Sequence, residues 1–272
     1  MRQRKLRHLD EKLTELAEWY DTEPGARKGT WREFVPGGGE RLYAEIGCGK
    51  GQFITTLASL NPDCKFIGIE GQESCAYHAI NKARDKNLEN VRYVMRYVDS
   101  LEEMFEDDEL DGIYLNFSDP WPKARHEKRR LTTAKRLIEY ARAVKRGGFI
   151  EFRTDNDDLF EFTIGEVVSA HGVLIEEMSM DLHADKPEKA SVTTEYEDKF
   201  AAMGRPIHYV RLRVLLGARP KPKPPEENPA GEEDFSAWEN VRPIRKSEPQ
   251  RPRRKGFDGI HCYRIIQGLC TP

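Results

Sequence analysis

Short apolar runs alternate with amphipathic stretches from Leu42 to Leu215, and the first such pair is joined by a turn of three glycines. LYAEI (Leu42–Ile46) reads as a strand, GCGKG (47–51) as the turn, and FITTLASL as a helix burying Phe53, Ile54, Leu57 and Ala58. Further strands follow at Phe66–Ile69, Val91–Met95, Gly112–Asn116 and Phe149–Arg153. Helices are predicted over Ser74–Lys86, Thr132–Val144 and Leu159–Ala170, with Gly147-Gly148 stopping the second. Strands alternating with helices argue for a parallel sheet covered on both faces, an α/β fold class. Val173–Met178 and His208–Leu215 are placed to close it, the last strand antiparallel.

The flanks differ in character. In residues 1–40, Leu9, Leu13, Leu16 and Trp19/Tyr20 recur at helical spacing, after a basic start of Arg2, Arg4, Lys5 and Arg7. This reads as an N-terminal arm with a helix, packed on the main domain, touching RNA, or both. Residues 41–216 form the main domain. Residues 217–272 begin with a proline- and charge-rich stretch that is expected to be a flexible extension, followed by a basic run, Arg242–Lys255, and a short apolar patch.

The net charge of −3 does not mark a nucleic-acid binder, but charge is segregated: Glu102–Asp111 is acidic and Lys123–Arg136 basic. Such separation can steer an anion to one face while the total stays near neutral. Cys48, Cys64, Cys75, Cys262 and Cys270 have no metal-ligand spacing and read as free thiols, so no metal is expected. No apolar run approaches the roughly 20 residues of a membrane span. A signal-like core is absent from the charged start, and the protein is expected in the cytoplasm without a membrane partner.

Two constellations carry chemistry. In Glu45-Ile46-Gly47-Cys48-Gly49-Lys50-Gly51 the glycines let a ligand approach the backbone closely. A dinucleotide site prefers GxGxxG; here the third glycine comes one place early, and Gln52 stands where a small residue belongs. An acid before the glycines suits a cationic ligand better than a pyrophosphate. S-adenosylmethionine, with its ammonium and sulfonium, answers that description. Glu70 ends the second strand, where a carboxylate accepts both hydroxyls of a ribose. The adenine then lies near Tyr97, Val98 and Asp99. The second constellation is LNFSDPWPKARHEKRRL (115–131). Its prolines push Asp119 and Trp121 toward extended geometry, and Lys123, Arg125, His126, Lys128, Arg129 and Arg130 follow as a patch suited to phosphate.

Together with RTDN (153–156) and TEYEDKF (194–200), these motifs make the chain closely resemble the bacterial tRNA (guanine-N7)-methyltransferases, from about Arg41 to Leu215. The resemblance implies a Rossmann-like doubly wound sheet of the S-adenosylmethionine-dependent methyltransferase type, S-adenosylmethionine as donor and a guanine in the variable loop of tRNA, usually position 46, as acceptor. By motif, Glu45, Gly47, Gly49, Gly51, Glu70, Tyr97 and Asp119 face the donor, with Asp119 also beside the reacting methyl as the catalytic residue. Lys123, Asp155 and Thr194, Glu195, Tyr196 and Glu197 contact the nucleotide, and Arg125, His126, Lys128, Arg129 and Arg130 the RNA. The family often has an acid where Tyr97 stands; the nearest here is Asp99. Rival readings are a methyltransferase for a small molecule or protein, a non-catalytic RNA-binding protein and a nicotinamide-dependent dehydrogenase. The first would need no basic run, the second predicts a broken donor site, and the glycine spacing disfavours the third. Monomer and homodimer are not distinguished by sequence.

Overall fold

A computed structural model describes residues 7–216; the C-terminal extension, its basic run and Cys262 and Cys270 lie outside them. The chain runs through α1 (Leu9–Thr14), β1 (Tyr20–Asp21), α2 (Trp31–Phe34), β2 (Arg41–Ile46), α3 (Gln52–Leu60), β3 (Cys64–Ile69), α4 (Glu73–Asp85), β4 (Val91–Val94) and β5 (Leu110–Asn116). It continues through α5 (Ala134–Ala143), β6 (Val144–Thr154), α6 (Asp157–Ser169), β7 (Val173–Ser179), α7 (Leu182–Asp185), α8 (Glu195–Ala201) and β8 (His208–Val214).

The eight strands form one sheet in the order β1-β4-β3-β2-β5-β6-β8-β7. Pairing is parallel from β1 to β6, and β8 runs antiparallel to both β6 and β7. Strand residues alternate between two cores, as the two-residue period of a strand requires. On β3, Ile67 and Ile69 join Leu137 and Tyr140 of α5, whereas Cys64 and Phe66 join Ile54 of α3 and Ile80 of α4. Both faces are thus covered. From β2 the chain winds outward through β3 and β4, then returns to β5 on the other side of β2. The carboxyl ends of β2 and β5 therefore flank the point where the winding reverses, the position at which open α/β sheets bind ligands.

Three local expectations change. The N-terminal helical spacing continues only to Thr14; Tyr20 instead joins the sheet as an edge strand beside Tyr93 of β4. Leu16, Trp31 and Val35 are core residues, so this segment packs on the sheet. Gly147-Gly148 does not stop α5, which ends at Ala143; Val144 already pairs with Leu110, and Phe149 resumes the ladder opposite Gly112. Residues 145–148 bulge out, with Gly147 at φ 83° and Lys145 ion-paired to the buried Asp111. Finally, Trp121 is not extended but lies at φ 41°, and Phe117 at φ 52°.

Candidate active site

The glycine turn follows directly from β2. Gly47, Gly49 and Gly51 have φ of 77°, 56° and 78°, a region that Cβ-bearing residues avoid. Their roles separate when a Cβ is imagined on each. At Gly51 it would lie 2.6 Å from the Ala79 Cβ and 2.9 Å from its Cα, so this glycine lets α3 approach α4. At Gly47 and Gly49 it would meet nothing within 4 Å. Those two positions leave open space above the backbone, which is what a ligand cradle needs.

Glu45 comes from the face of β2 turned toward α3 and α4, and is 1% exposed. Its Oε1 accepts a hydrogen bond from Asn116 Nδ2 at 2.8 Å, while Oε2 has no hydrogen-bond partner. Burial raises its pKa to about 7, against the pull of Asn116 and Arg153. A cation brought alongside would find an acceptor already held in place. Glu70 receives the Gly49 amide on Oε2 (2.9 Å) and the Gln72 amide on Oε1 (2.8 Å). Burial, and then the like charge of Asp119, pushes its carboxyl upward.

A cleft of about 630 Å³ opens between these elements. It is lined by Gly47, Glu70, Tyr97 to Asp99, Asn116 to Asp119, Trp121, Lys128, Arg129 and Arg136. Tyr97 is 69% exposed, and its ring lies so close over Gly71 that any Cβ there would come within 2.3 Å of it. Arg136 donates to the Val98 carbonyl at 2.9 Å and so fixes the backbone expected beneath an adenine.

The Asp119 turn is held by its own basic run, which accounts for the unexpected backbone at Trp121. Arg130 donates to the carbonyls of Pro120 (2.9 Å) and Trp121 (3.2 Å), the Arg129 guanidinium sits 4.7 Å from the centre of the Trp121 ring, and His126 meets that ring edge-on. These contacts offset the pre-proline preference for extended geometry. Asp119 itself is exposed to the cleft. Lys123, Arg125, Lys128 and Arg129 are exposed, whereas His126 and Arg130 are half-buried and engaged in shaping the turn.

The TEYE loop begins with Thr194, whose hydroxyl caps α8 by accepting the Glu197 amide at 2.9 Å. Glu197, expected at the nucleotide, turns inward. It is 0% exposed, with Arg153 Nη1 at 3.3 Å from Oε2 and His183 Nε2 at 3.0 Å from Oε1, so it is corrected to an anchor of this loop. Glu195 is partly exposed and ion-paired with Lys82 of α4. The half-exposed Tyr196 ring lies 4.3 Å from Phe200 and 5.1 Å from Phe117, which itself lines the cleft. Asp155 is half-buried, 3.6 Å from Arg205. Lys123, Asp155 and the 194–197 loop lie outside the cleft lining, and the loop meets it where Tyr196 packs on Phe117.

Sequence reasoning missed Asn116, Phe117, Arg136 and Arg153. Asn116 and Phe117 stand inside LNFSDPWP, and Arg153 opens RTDN, so membership of a motif was the available signal. Among the described residues no group of three or more metal-ligating side chains gathers, Cys48, Cys64 and Cys75 are buried, and no helix is long and apolar enough to cross a membrane.

Residues 40–210 match a family model described as "Putative methyltransferase". The chain is 42% identical over 208 residues to the tRNA (guanine-N(7)-)-methyltransferase of Bacillus subtilis (strain 168), covering 76% of this chain and 96% of that one. It is 42% identical over 213 residues to the same-named protein of Streptococcus mutans serotype c, covering 78% and 100%, and 44% identical over 203 residues to that of Listeria monocytogenes serotype 4b, covering 75% and 94%. A solved structure described as an antibiotic-related methyltransferase aligns with a TM-score of 0.48 at 20% identity, covering 79% of this chain and 97% of that one. With the doubly wound sheet, the glycine turn and the Asp119 corner in place, the chain belongs to the tRNA (guanine-N7)-methyltransferase family.

Proposed function

We propose that this protein transfers the methyl group of S-adenosylmethionine to N7 of a guanine in the variable loop of tRNA, with a donor site formed by Glu45, Gly47, Gly49, Glu70 and Tyr97, Gly51 serving instead to let α3 approach α4. The observation that carries the reading is that Gly47, the ribose-type carboxylate Glu70, the Asp119 turn and the exposed Lys128 and Arg129 line one cleft. The donor fits the residues present. Gly47 and Gly49 leave room for it, Glu70 stands at a strand end to meet a ribose, and the unpartnered Oε2 of Glu45 suits an ammonium. When bound, the donor supplies a methyl group on a cationic sulfur.

Guanine N7 bears an in-plane lone pair and no proton. The N7–carbon bond forms as the carbon–sulfur bond breaks, the sulfur keeps that electron pair, and positive charge passes to the imidazole ring. No proton leaves in this step, so the site needs no general base, and alignment supplies most of the acceleration. Asp119, held by the Arg130 clamp on the following carbonyls, offsets the developing ring charge without reorganising. Tyr196 and Phe117 offer aromatic faces beside the cleft for the base, while Asp155 and Glu195 offer acceptors for its Watson–Crick edge. Lys123, Arg125, Lys128 and Arg129 track phosphates.

The test supplies labelled donor with an unmodified tRNA transcript, and with one whose variable-loop guanine is replaced by adenine. Label should enter the first alone; equal labelling of both would overturn the assignment of the acceptor.

A further inference from the structure

Gln52 occupies the position where a nucleotide-binding turn favours a small residue. It is the first residue of α3, immediately after Gly51. Its side chain crosses to the other end of the chain. Nε2 donates to Asp198 Oδ2 at 2.7 Å and lies 3.4 Å from the Thr193 hydroxyl and 3.5 Å from the Thr193 carbonyl. A carboxylate and a carbonyl only accept, so the amide nitrogen is the atom that must face them. Thr193 and Asp198 bracket Thr194–Glu197. Hydrogen bonds from Thr193 and Gln52 hold the Asp198 carboxyl below its ordinary range. One side chain thus ties the residues flanking the TEYE loop, while Glu197, the loop's last residue, is anchored through Arg153 and His183.

The other end of Gln52 leads into the donor cradle. Gly51 donates to the Cys48 carbonyl at 2.9 Å, and Gly49 donates to Glu70 at 2.9 Å. A ligand that engages Glu70 and seats on Gly47 and Gly49 fixes the segment from which Gln52 springs. Resting on the functional reading above, we infer that Gln52 is a positioning residue that couples donor binding to the guanine-binding loop, so that each substrate strengthens the binding of the other. Such coupling is reciprocal and commonly spans about 5–150-fold.

The experiment measures S-adenosylhomocysteine binding to the full-length protein by calorimetry, with and without unmodified tRNA, alongside steady-state kinetics. In the wild type tRNA should tighten that binding by about fivefold or more. Gln52→Leu should keep the tRNA-free affinity within about twofold but lose the gain from tRNA, and raise the tRNA KM by about tenfold with kcat little changed. Gln52→Lys, which again offers Asp198 a donor, should recover most of both. Asp198→Ala should reproduce the Gln52→Leu defect, and the double variant should be no worse than either single one. A merely structural role would lower the melting temperature and tRNA-free affinity together and leave the coupling ratio unmoved. The inference is overturned by a wild type whose affinity ignores tRNA, or by a Gln52→Leu protein with wild-type coupling and KM. A wild type that methylates no tRNA would instead sink the functional reading itself.

Discussion

Replacing each of the three turn glycines by alanine should separate the one that builds the fold from those that meet the ligand. All three lie at positive φ, where a non-glycine residue costs about 1–2 kcal/mol. The loss of chain freedom in the unfolded state returns about 0.4–1 kcal/mol when glycine is replaced. At Gly47 and Gly49 nothing else is disturbed, since the new methyl meets no atom within 4 Å. Gly47→Ala and Gly49→Ala should therefore lose about 1 kcal/mol, within a range of about 0–1.6 kcal/mol. At Gly51 the methyl would lie 2.6 Å from one carbon of Ala79 and 2.9 Å from its backbone Cα. Helix α4 must retreat, and overpacking of this kind costs about 1–3 kcal/mol more, giving a total of about 2–4 kcal/mol. Urea unfolding measures the stability and S-adenosylhomocysteine calorimetry the donor site. Gly51→Ala should show the large stability loss; Gly47→Ala should stay near wild-type stability and bind at least tenfold more weakly. A Gly51→Ala protein as stable as the wild type, or a Gly47→Ala protein with undiminished affinity, would refute the division of roles.

Glu45 gives a pH signature. Its folded-state pKa of about 7 lies above the ordinary 4.5, so the folded protein favours the protonated form. Stability fully present below about 4.5 is lost as pH rises through about 7, by on the order of 3 kcal/mol. Glu45→Gln should flatten that loss in urea unfolding between pH 5 and 8. The donor's ammonium needs the ionised form, so wild-type donor affinity should rise over the same interval; a flat affinity profile would count against the contact. Asp119→Ala should lower kcat by at least 100-fold while tRNA binding stays within threefold, and unchanged turnover would remove Asp119 from the chemistry. Lys128→Ala and Arg129→Ala should each weaken tRNA binding and reduce the slope of log K against log salt by about 1 in magnitude, measured by filter binding. Identical slopes would place those residues off the RNA.

Local signals carried the frame of this protein. Alternating strands and helices implied a parallel sheet covered on both faces, the glycine spacing marked the cradle, and Glu70 could be placed because strand ends in such sheets face the ligand. What escaped was set by contacts far apart in sequence. Trp121 adopts its φ of 41° because Arg129 and Arg130 hold the turn against the preference of a pre-proline residue. Gly147-Gly148 resembles a helix stop, yet the ladder claims Val144 first and leaves the glycines to a bulge. Tyr20 keeps helical spacing but finds an unpaired strand edge on β4. Glu197 sits in a charged motif that reads as solvent-facing, and only the fold brings Arg153 beneath it. The oddity of Gln52 was visible at once; its partner Asp198 was not, because no periodic pattern joins positions so distant.

The proposed function requires that the cradle and the Asp119 corner bring one methyl donor and one guanine edge together. Mapping the product tests this most directly: an unmodified tRNA transcript is methylated by the full-length protein, treated with borohydride and aniline, and sequenced at the break. A single enzyme-dependent cleavage at a variable-loop guanine is expected. Methyl incorporation without that cleavage, or cleavage at guanines elsewhere in the tRNA, would contradict it.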